Sequence, residues 1–316
     1  MKKQLTDEEI LEKYREVFER YAKGGVIDMD KRLRFKFFYQ IHPLEQVVSA
    51  LNGRVPPNRQ SMYYIMLFKH CAGRKRVGMF DFSIKDSTLV IIPKRTIHST
   101  LYECEECSGY VLGFNIDFFL HQAFPRKYII EKKVFKASLR PWLLLSDPQQ
   151  RALEVIFEQI IVENDADLPG KKQMIALKIL ELLIRCDRLF SKAEAIGKEP
   201  VYHPLLERFN GLLERYFSSH QAVGFYADAL RVKAGYLNNL VKKHSGVGVK
   251  KTINARLVME AQVLLATTEV SVSEIAKRLG FANPNHFTSF FTNKANISPT
   301  RYRATVTTMR AARKKR

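Results

Sequence analysis

The 316-residue chain is short of the features that mark several large protein classes. No apolar run approaches the roughly 18 residues that a helical membrane span requires, and the opening MKKQLTDEEILEKYREVFERY is charged and amphipathic rather than secretory in type. A cytoplasmic protein is therefore expected. Cysteine is scarce, with four in all: Cys71, Cys104, Cys107 and Cys186. The CEEC pair at 104–107 has metal or redox spacing, but no second CxxC or His pair follows at zinc-site distance, so two free thiols on a strand or turn are expected and no metal site is assigned. No nucleophile elbow, P-loop or dinucleotide fingerprint occurs. HxH is absent too, and His98 stands alone in TLVIIPKRTIHS, so the paired histidines of a metal-binding barrel are missing. No catalytic residue and no cofactor are assigned.

Acidic residues are the other shortage, and it is uneven. Residues 200–316 hold 19 Lys and Arg against 6 Asp and Glu, a net of +13, whereas residues 1–199 hold 33 against 26, a net of +7. A positive field concentrated in the last third favours a polyanionic partner, nucleic acid above all.

The hydrophobic period divides the chain. Thr6 to about Ala22 has apolar residues at helical steps. From Leu33 to about Ile116 the runs LRFKFFYQI, SMYYIMLFKHC, RVGMFDFSI, STLVIIP, HSTLYE and SGYVLGFNI read as short strands separated by turns, which suits a small antiparallel barrel or jelly roll. Ser146-Asp147-Pro148 opens a helix carrying Leu153, Ile156, Phe157 and Ile160 on one face. After Pro169-Gly170 a second helix spans about Lys171 to Phe190. It has a stripe of Met174, Leu177, Leu180 and Ile184 widened by Ile175, Ile179, Leu182 and Leu183, enough for a dimer contact or for packing on the barrel. SKAEAIGKEP reads as a linker. Beyond it everything is helical, including one long helix from about Val249 to Thr267.

The last hundred residues repeat themselves. Ala227 and Ala276, Leu230 and Leu279, and Val232 and Phe281 match at an offset of 49; Tyr236 and His286, Leu237 and Phe287, Leu240 and Phe290, and Val241 and Phe291 match at 50. One supersecondary unit is used twice, and each copy has the form of a helix-turn-helix. In GFANPNHFTSFF, Phe287, Phe290 and Phe291 anchor the second helix and free its opposite face, where Asn283, Asn285, Ser289 and Thr292 are expected to meet DNA. In the first copy, Lys233, Asn238, Asn239, Lys242 and Lys243 are expected on the reading side, opposite Tyr236, Leu237, Leu240 and Val241. Asn is a natural bidentate partner of adenine, and Lys suits phosphate or guanine. A connecting helix of about 19 residues spans roughly 28 Å, against about 34 Å between successive major grooves on one face of DNA.

Residues from about 204 to 303 resemble the DNA-binding domain of the AraC/XylS family of bacterial transcription regulators. SVSEIAKRLGFANPNHFTSFFTNKANISPTRYR holds the Ile-Ala, Leu-Gly-Phe, His-Phe, Phe-Phe, Ser-Pro and Tyr-Arg elements in family order and spacing. It departs at Ser289, Thr292 and Asn293, which are frequently basic in the family, and at Asn296 in place of the usual glycine. The first unit should then carry more of the affinity. The resemblance implies an α+β chain: a cupin-like effector-binding and dimerisation domain over 1–190, a linker over 191–203, a double helix-turn-helix domain over 204–304 and a basic tail over 305–316. It implies a regulator, more an activator than a repressor, with promoter DNA, RNA polymerase, a small-molecule effector and a second copy of itself as partners. The effector-binding residues are not assigned. The alternative is a DNA alkyl-repair methyl acceptor using Cys104 or Cys107, or a cupin enzyme, with an appended DNA-binding domain.

Overall fold

The computed structural model describes residues 39–50, 53–104, 106–120, 133–135, 140–166, 168–195 and 203–305. The helix expected over Thr6 to Ala22 and the basic tail lie outside them. Among the described residues nine strands form the front half: β1 (Tyr39–Pro43), β2 (Arg54–Arg59), β3 (Tyr63–His70), β4 (Gly73–Val77), β5 (Phe80–Ile84), β6 (Thr88–Ile92), β7 (Ile97–Tyr102), β8 (Ser108–Phe114) and β9 (Trp142–Leu144). Short helices α1 (Leu44–Ala50) and α2 (Ile116–Leu120) flank them.

All pairings are antiparallel, in a five-stranded sheet ordered β1-β8-β3-β6-β9 and a four-stranded sheet ordered β2-β7-β4-β5. Alternation along the strands sorts the side chains into two cores. From the larger sheet, Tyr64, Met66, Phe68, Val90, Ile92 and Val111 point inward against Val77, Phe80, Phe82 and Ile84 of the smaller one. Ile65, Leu67, Leu89, Ile91, Leu112 and Phe114 point the other way, onto helices. Those helices are α3 (Asp147–Asp165) and α4 (Lys171–Ala195), which contribute Leu153, Ile156, Phe157, Ile160, Ile175, Ile179, Leu182 and Leu183. Trp142 on the edge strand β9 stacks on Phe82 of the opposite edge strand β5, ring centroids 4.0 Å apart, and closes one side of the barrel.

Several sequence expectations are corrected here. RVGMFDFSI is two strands joined by a tight turn, with Gly78 at φ 54°. β2 was not expected because Pro56 and Pro57 argue against a strand; it occupies a sheet edge, and its pairing with β7 shifts register between Val55 and Asn58, where the missing N–H groups cost no ladder bonds. The stripe on α4 is also reassigned. Its widening residues Ile175, Ile179, Leu182 and Leu183 are the buried ones, whereas Met174 and Leu177 are 43% and 49% exposed. The helix continues through Ala195, into the segment expected as linker.

The rear half is helical: α5 (Pro204–Tyr216), α6 (Val223–Leu230), α7 (Ala234–Ser245), α8 (Val249–Thr267), α9 (Val272–Arg278) and α10 (Pro284–Ala295), followed by a helical segment over 299–305. The chain is thus α+β, a sheet-rich front joined to a helical rear. Among the described residues no helix is long and apolar enough to cross a membrane.

Candidate nucleic-acid interface

The two copies of the repeat are built on the same backbone devices. In α6–α7 the turn residue Arg231 is left-handed, at φ 58°, and the next N–H, of Val232, donates to the Ala227 carbonyl at 3.0 Å. In α9–α10 Gly280 takes that place, at φ 79°, and Phe281 donates to Ala276 at 2.9 Å. Ala227 and Ala276 are buried at the helix crossings, where a larger side chain would hold the helices apart. Each reading helix ends on a left-handed residue, Gly246 after α7 and Asn296 after α10, each returning its N–H to the last turn.

Gly280 is required twice over. Its φ is one that L side chains rarely adopt, and a Cβ there would collide with the Ser218 carbonyl oxygen just beyond α5. At the matching turn Arg231 takes the left-handed backbone with its side chain exposed to solvent.

The reading helices bury matching positions. Leu237 and Val241 of α7, and Phe287 and Phe291 of α10, are fully buried, while Leu240 and Phe290 are half-buried. Phe290 packs its ring 5.3 Å from that of Phe281. The aromatics of GFANPNHFTSFF are therefore the local core of the second unit.

On the open side of α7, Lys233, Asn239, Lys242 and Lys243 are exposed. Asn238 is not free to join them: its side-chain oxygen accepts the Val249 N–H at 3.1 Å, and it crowds Gly248. It satisfies one of the orphan donors at the start of α8 and fixes the angle between the reading helix and the long helix. The oxygen of Asn238 is thus committed to the helix start, and its amide nitrogen is what remains for a base. Tyr236, expected on the inner side, is 53% exposed.

On α10, Asn283, Asn285 and Ser289 are exposed. Asn283 caps the helix, accepting the Asn285 N–H at 2.8 Å, and Pro284 follows at the first helical position, where its missing N–H costs nothing. Thr292 is half-buried and spends its hydroxyl proton on the Thr288 carbonyl at 2.7 Å. Two matched stripes result, each at helical spacing: Tyr236, Asn239 and Lys243 on α7, and His286, Ser289 and Asn293 on α10, all exposed. Tyr236, His286 and Asn293 lie on this exposed side but were not among the residues expected to meet DNA. The repeat offset of 50 pairs Tyr236 with His286, and that was the signal available.

The long helix α8 joins the two units and lies against β2 of the barrel. Its Arg256, 4% exposed, donates from Nε to Glu214 of α5 at 2.8 Å and from Nη1 to Glu260 at 2.8 Å, and its guanidinium lies 3.9 Å over the Phe217 ring. Burial opposes the charge, but Glu214 and then Glu260 outweigh it and hold the Arg256 pKa above its ordinary value. Glu260 also accepts from Arg59 of β2 at 2.8 Å, so one charged chain runs from the barrel edge to the helix between the reading heads.

Inside the barrel, Asn58, Lys75, His98 and Thr100 are buried polar residues. Lys75 donates to the Thr100 hydroxyl at 2.7 Å, and burial lowers its pKa to about 7. Both ring nitrogens of His98 are buried without a hydrogen-bond partner among the described residues, and burial, followed by the Lys75 charge, holds its pKa well below the usual value. His98 is thus an interior residue of β7, where the sequence suggested only a structural or surface histidine. The cysteines also differ from expectation: Cys104 and Cys107 are joined as a disulfide, and Cys71 lies beside them.

The geometry agrees with the chain's relatives. A profile of the helix-turn-helix domain family matches residues 226–305. The chain is 24% identical over 255 residues to the HTH-type transcriptional activator RhaS of Salmonella dublin, covering 77% of this chain and 86% of that protein. Against RhaS of Escherichia coli the identity is 28% over 151 residues, 48% of this chain and 52% of the relative, so there the chain spans about half the relative's length. Among solved structures, unsaturated fatty acid bound ToxT from Vibrio cholerae aligns over 86% of this chain and 97% of its own, at 16% identity and a TM-score of 0.43. The rear half is a helix-turn-helix DNA-binding unit of the AraC type. The chain is similar to HTH-type transcriptional activators, and its residues 226–305 carry a helix-turn-helix domain.

Proposed function

We propose that this regulator activates transcription in the cytoplasm by laying α7 and α10 in successive major grooves of a promoter, as a dimer whose barrel responds to a small molecule. The observation that carries the reading is the matched pair of stripes, Tyr236, Asn239 and Lys243 on one helix and His286, Ser289 and Asn293 on the other, held by a single helix of 19 residues. That helix is roughly 28 Å long, close to the roughly 34 Å groove repeat. Lys233, Lys242 and Lys243 supply phosphate attraction, while Asn239, Asn285 and Ser289 have the size and hydrogen-bonding groups for base edges. Asn283 and Thr292 keep backbone-positioning roles at the second helix.

The effector reading rests on the barrel interior. Buried polar groups in folded proteins are nearly always paired, and the unpartnered His98 beside Lys75 suits a ligand with acceptor or anionic groups. Such a ligand would restore the Lys75 charge that burial opposes. The Arg59–Glu260–Arg256–Glu214 chain supplies a route by which a shift in the barrel edge reaches both reading heads. For the dimer, Val155 and Val162 on α3 and Met174 and Leu177 on α4 form an exposed apolar surface. RNA polymerase is the partner an activator requires.

The test is selection of bound fragments from genomic DNA by the full chain, followed by a shift assay on the enriched site. A site of two half-elements about one helical turn apart, bound in preference to scrambled DNA of equal length, is the expected result. Equal binding to both DNAs overturns the reading.

A further inference from the structure

The cysteines that the sequence separates are brought together at one end of the barrel. Cys71 lies in the β3–β4 connection, and Cys104 and Cys107 lie in the β7–β8 connection. Backbone contacts hold the two connections side by side. Gly73 pairs with Tyr102 so closely that a Cβ would collide with the Leu101 carbonyl, and the Glu103 N–H donates to the Ala72 carbonyl at 2.8 Å. On the far side of the pair, Gly109 sits against the Leu67 carbonyl with no room for a side chain. The Cys71 sulfur is 2.8 Å from that of Cys107 and 3.7 Å from that of Cys104, and all three lie within 4.8 Å of one another. Cys71 and Cys107 are buried and Cys104 is half-buried, which leaves a path from solvent.

We propose that Cys71, Cys104 and Cys107, once the Cys104–Cys107 disulfide is reduced, form a three-thiolate site for a thiophilic closed-shell cation, Zn2+ foremost. A zinc–sulfur distance of about 2.3 Å places tetrahedral ligand sulfurs roughly 3.8 Å apart, close to the 3.7 Å between Cys71 and Cys104. Thiolate ligands select zinc or monovalent copper over harder cations. Asp86 Oδ1 accepts the Cys71 N–H at 2.9 Å and fixes the connection that carries this ligand, and a water completes the fourth position.

The steps balance. A dithiol or phosphine reductant supplies two electrons to the disulfide and is itself oxidised, freeing two thiols. Binding then exchanges three thiol protons, released to the buffer, for three sulfur–metal bonds.

The test uses the full chain, made metal-free and reduced with a phosphine, titrated with Zn2+ against a chromophoric chelator and, in parallel, with Co2+ as a spectroscopic probe. One equivalent should bind, with a thiolate-to-cobalt charge-transfer band. Cys71→Ser and Cys104→Ser should each weaken Zn2+ binding by more than the roughly 10- to 100-fold that loss of a supporting second-layer residue costs. Cys186→Ser, which alters a cysteine buried among the helices, should change nothing. If Cys71→Ser loses its circular dichroism, the half-buried Cys104→Ser and the wild-type cobalt spectrum decide. Tight Cu+ binding without Zn2+ binding supports the same three-sulfur site with a different ion. No retained metal, or wild-type affinity in folded Cys71→Ser, overturns the proposal. A DNA shift assay on the same samples fails or succeeds separately, so loss of the metal site is not confused with loss of regulation.

Discussion

The two helix-turn-helix units share a frame and differ in what they present. Their turns, C-caps and buried helix faces fall at matching positions, yet the first unit carries three lysines, Lys233, Lys242 and Lys243, where the second carries Asn283, Thr292 and Asn293. A helix surface can change its charge without touching the residues that hold it, because side chains three and four apart share a face and the others do not. The frame is therefore a packing property and the reading face a separate choice. The same comparison reverses at the turn. Arg231 tolerates a left-handed backbone with its side chain exposed to solvent, while Gly280 is confined by the Ser218 carbonyl.

That contrast predicts the largest difference between the units. Gly280→Ala adds strain and a collision and should cost roughly 2 to 4 kcal/mol, read as a fall in the thermal midpoint and loss of DNA binding. Arg231→Gly at the matching turn should stay within about 1 kcal/mol of the parent, since relief of left-handed strain offsets added chain freedom. Equal loss at both turns would show that the two frames are not held differently.

Next in size is Asn238. Removing the acceptor of the Val249 N–H by Asn238→Ala should destabilise the rear unit by about 1 to 2 kcal/mol. Its matched position in the second unit is the half-buried Thr288, and Thr288→Ala should move the midpoint less. An unchanged midpoint in Asn238→Ala, together with relaxed preference at one base pair, would return that residue to the reading face.

Salt dependence separates the faces more gently. Lys233→Ala, Lys242→Ala and Lys243→Ala should each lower the slope of log K against log salt by about 0.9 where the lysine meets a phosphate. Asn285→Ala and Ser289→Ala should leave it unchanged and alter base preference instead. The smallest expected effect is a gain: Ser289→Lys adds one cation to α10 and should tighten binding modestly on every sequence. A gain confined to one operator would show that position 289 reads bases.

Much of the rear unit was legible from the sequence because its signals are local. The 3.6-residue period, the repeat offset and the capping residues lie within one or two turns of each other, and α8 begins and ends where the apolar pattern placed it. The same pattern misassigned Tyr236, since an aromatic beside Leu237 looks apolar in one dimension while its angular position on α7 points outward. The stripe on α4 failed in a related way. Two apolar faces were present, and only the sheet beneath determined which one was covered.

By itself the sequence determined that the chain is basic at its rear, that its front is strand-rich, and that one DNA-reading unit is used twice, because composition and period are properties of consecutive residues. Tertiary structure alone decided that the Asn238 oxygen holds the start of the long helix, that His98 and Lys75 share the barrel interior, and that Cys71 lies beside a pair whose first member is 33 residues away. Each of those outcomes depends on which strands and helices become neighbours. That is settled by strand register and by the apolar faces that must be buried together, neither of which is written in any single stretch of the chain.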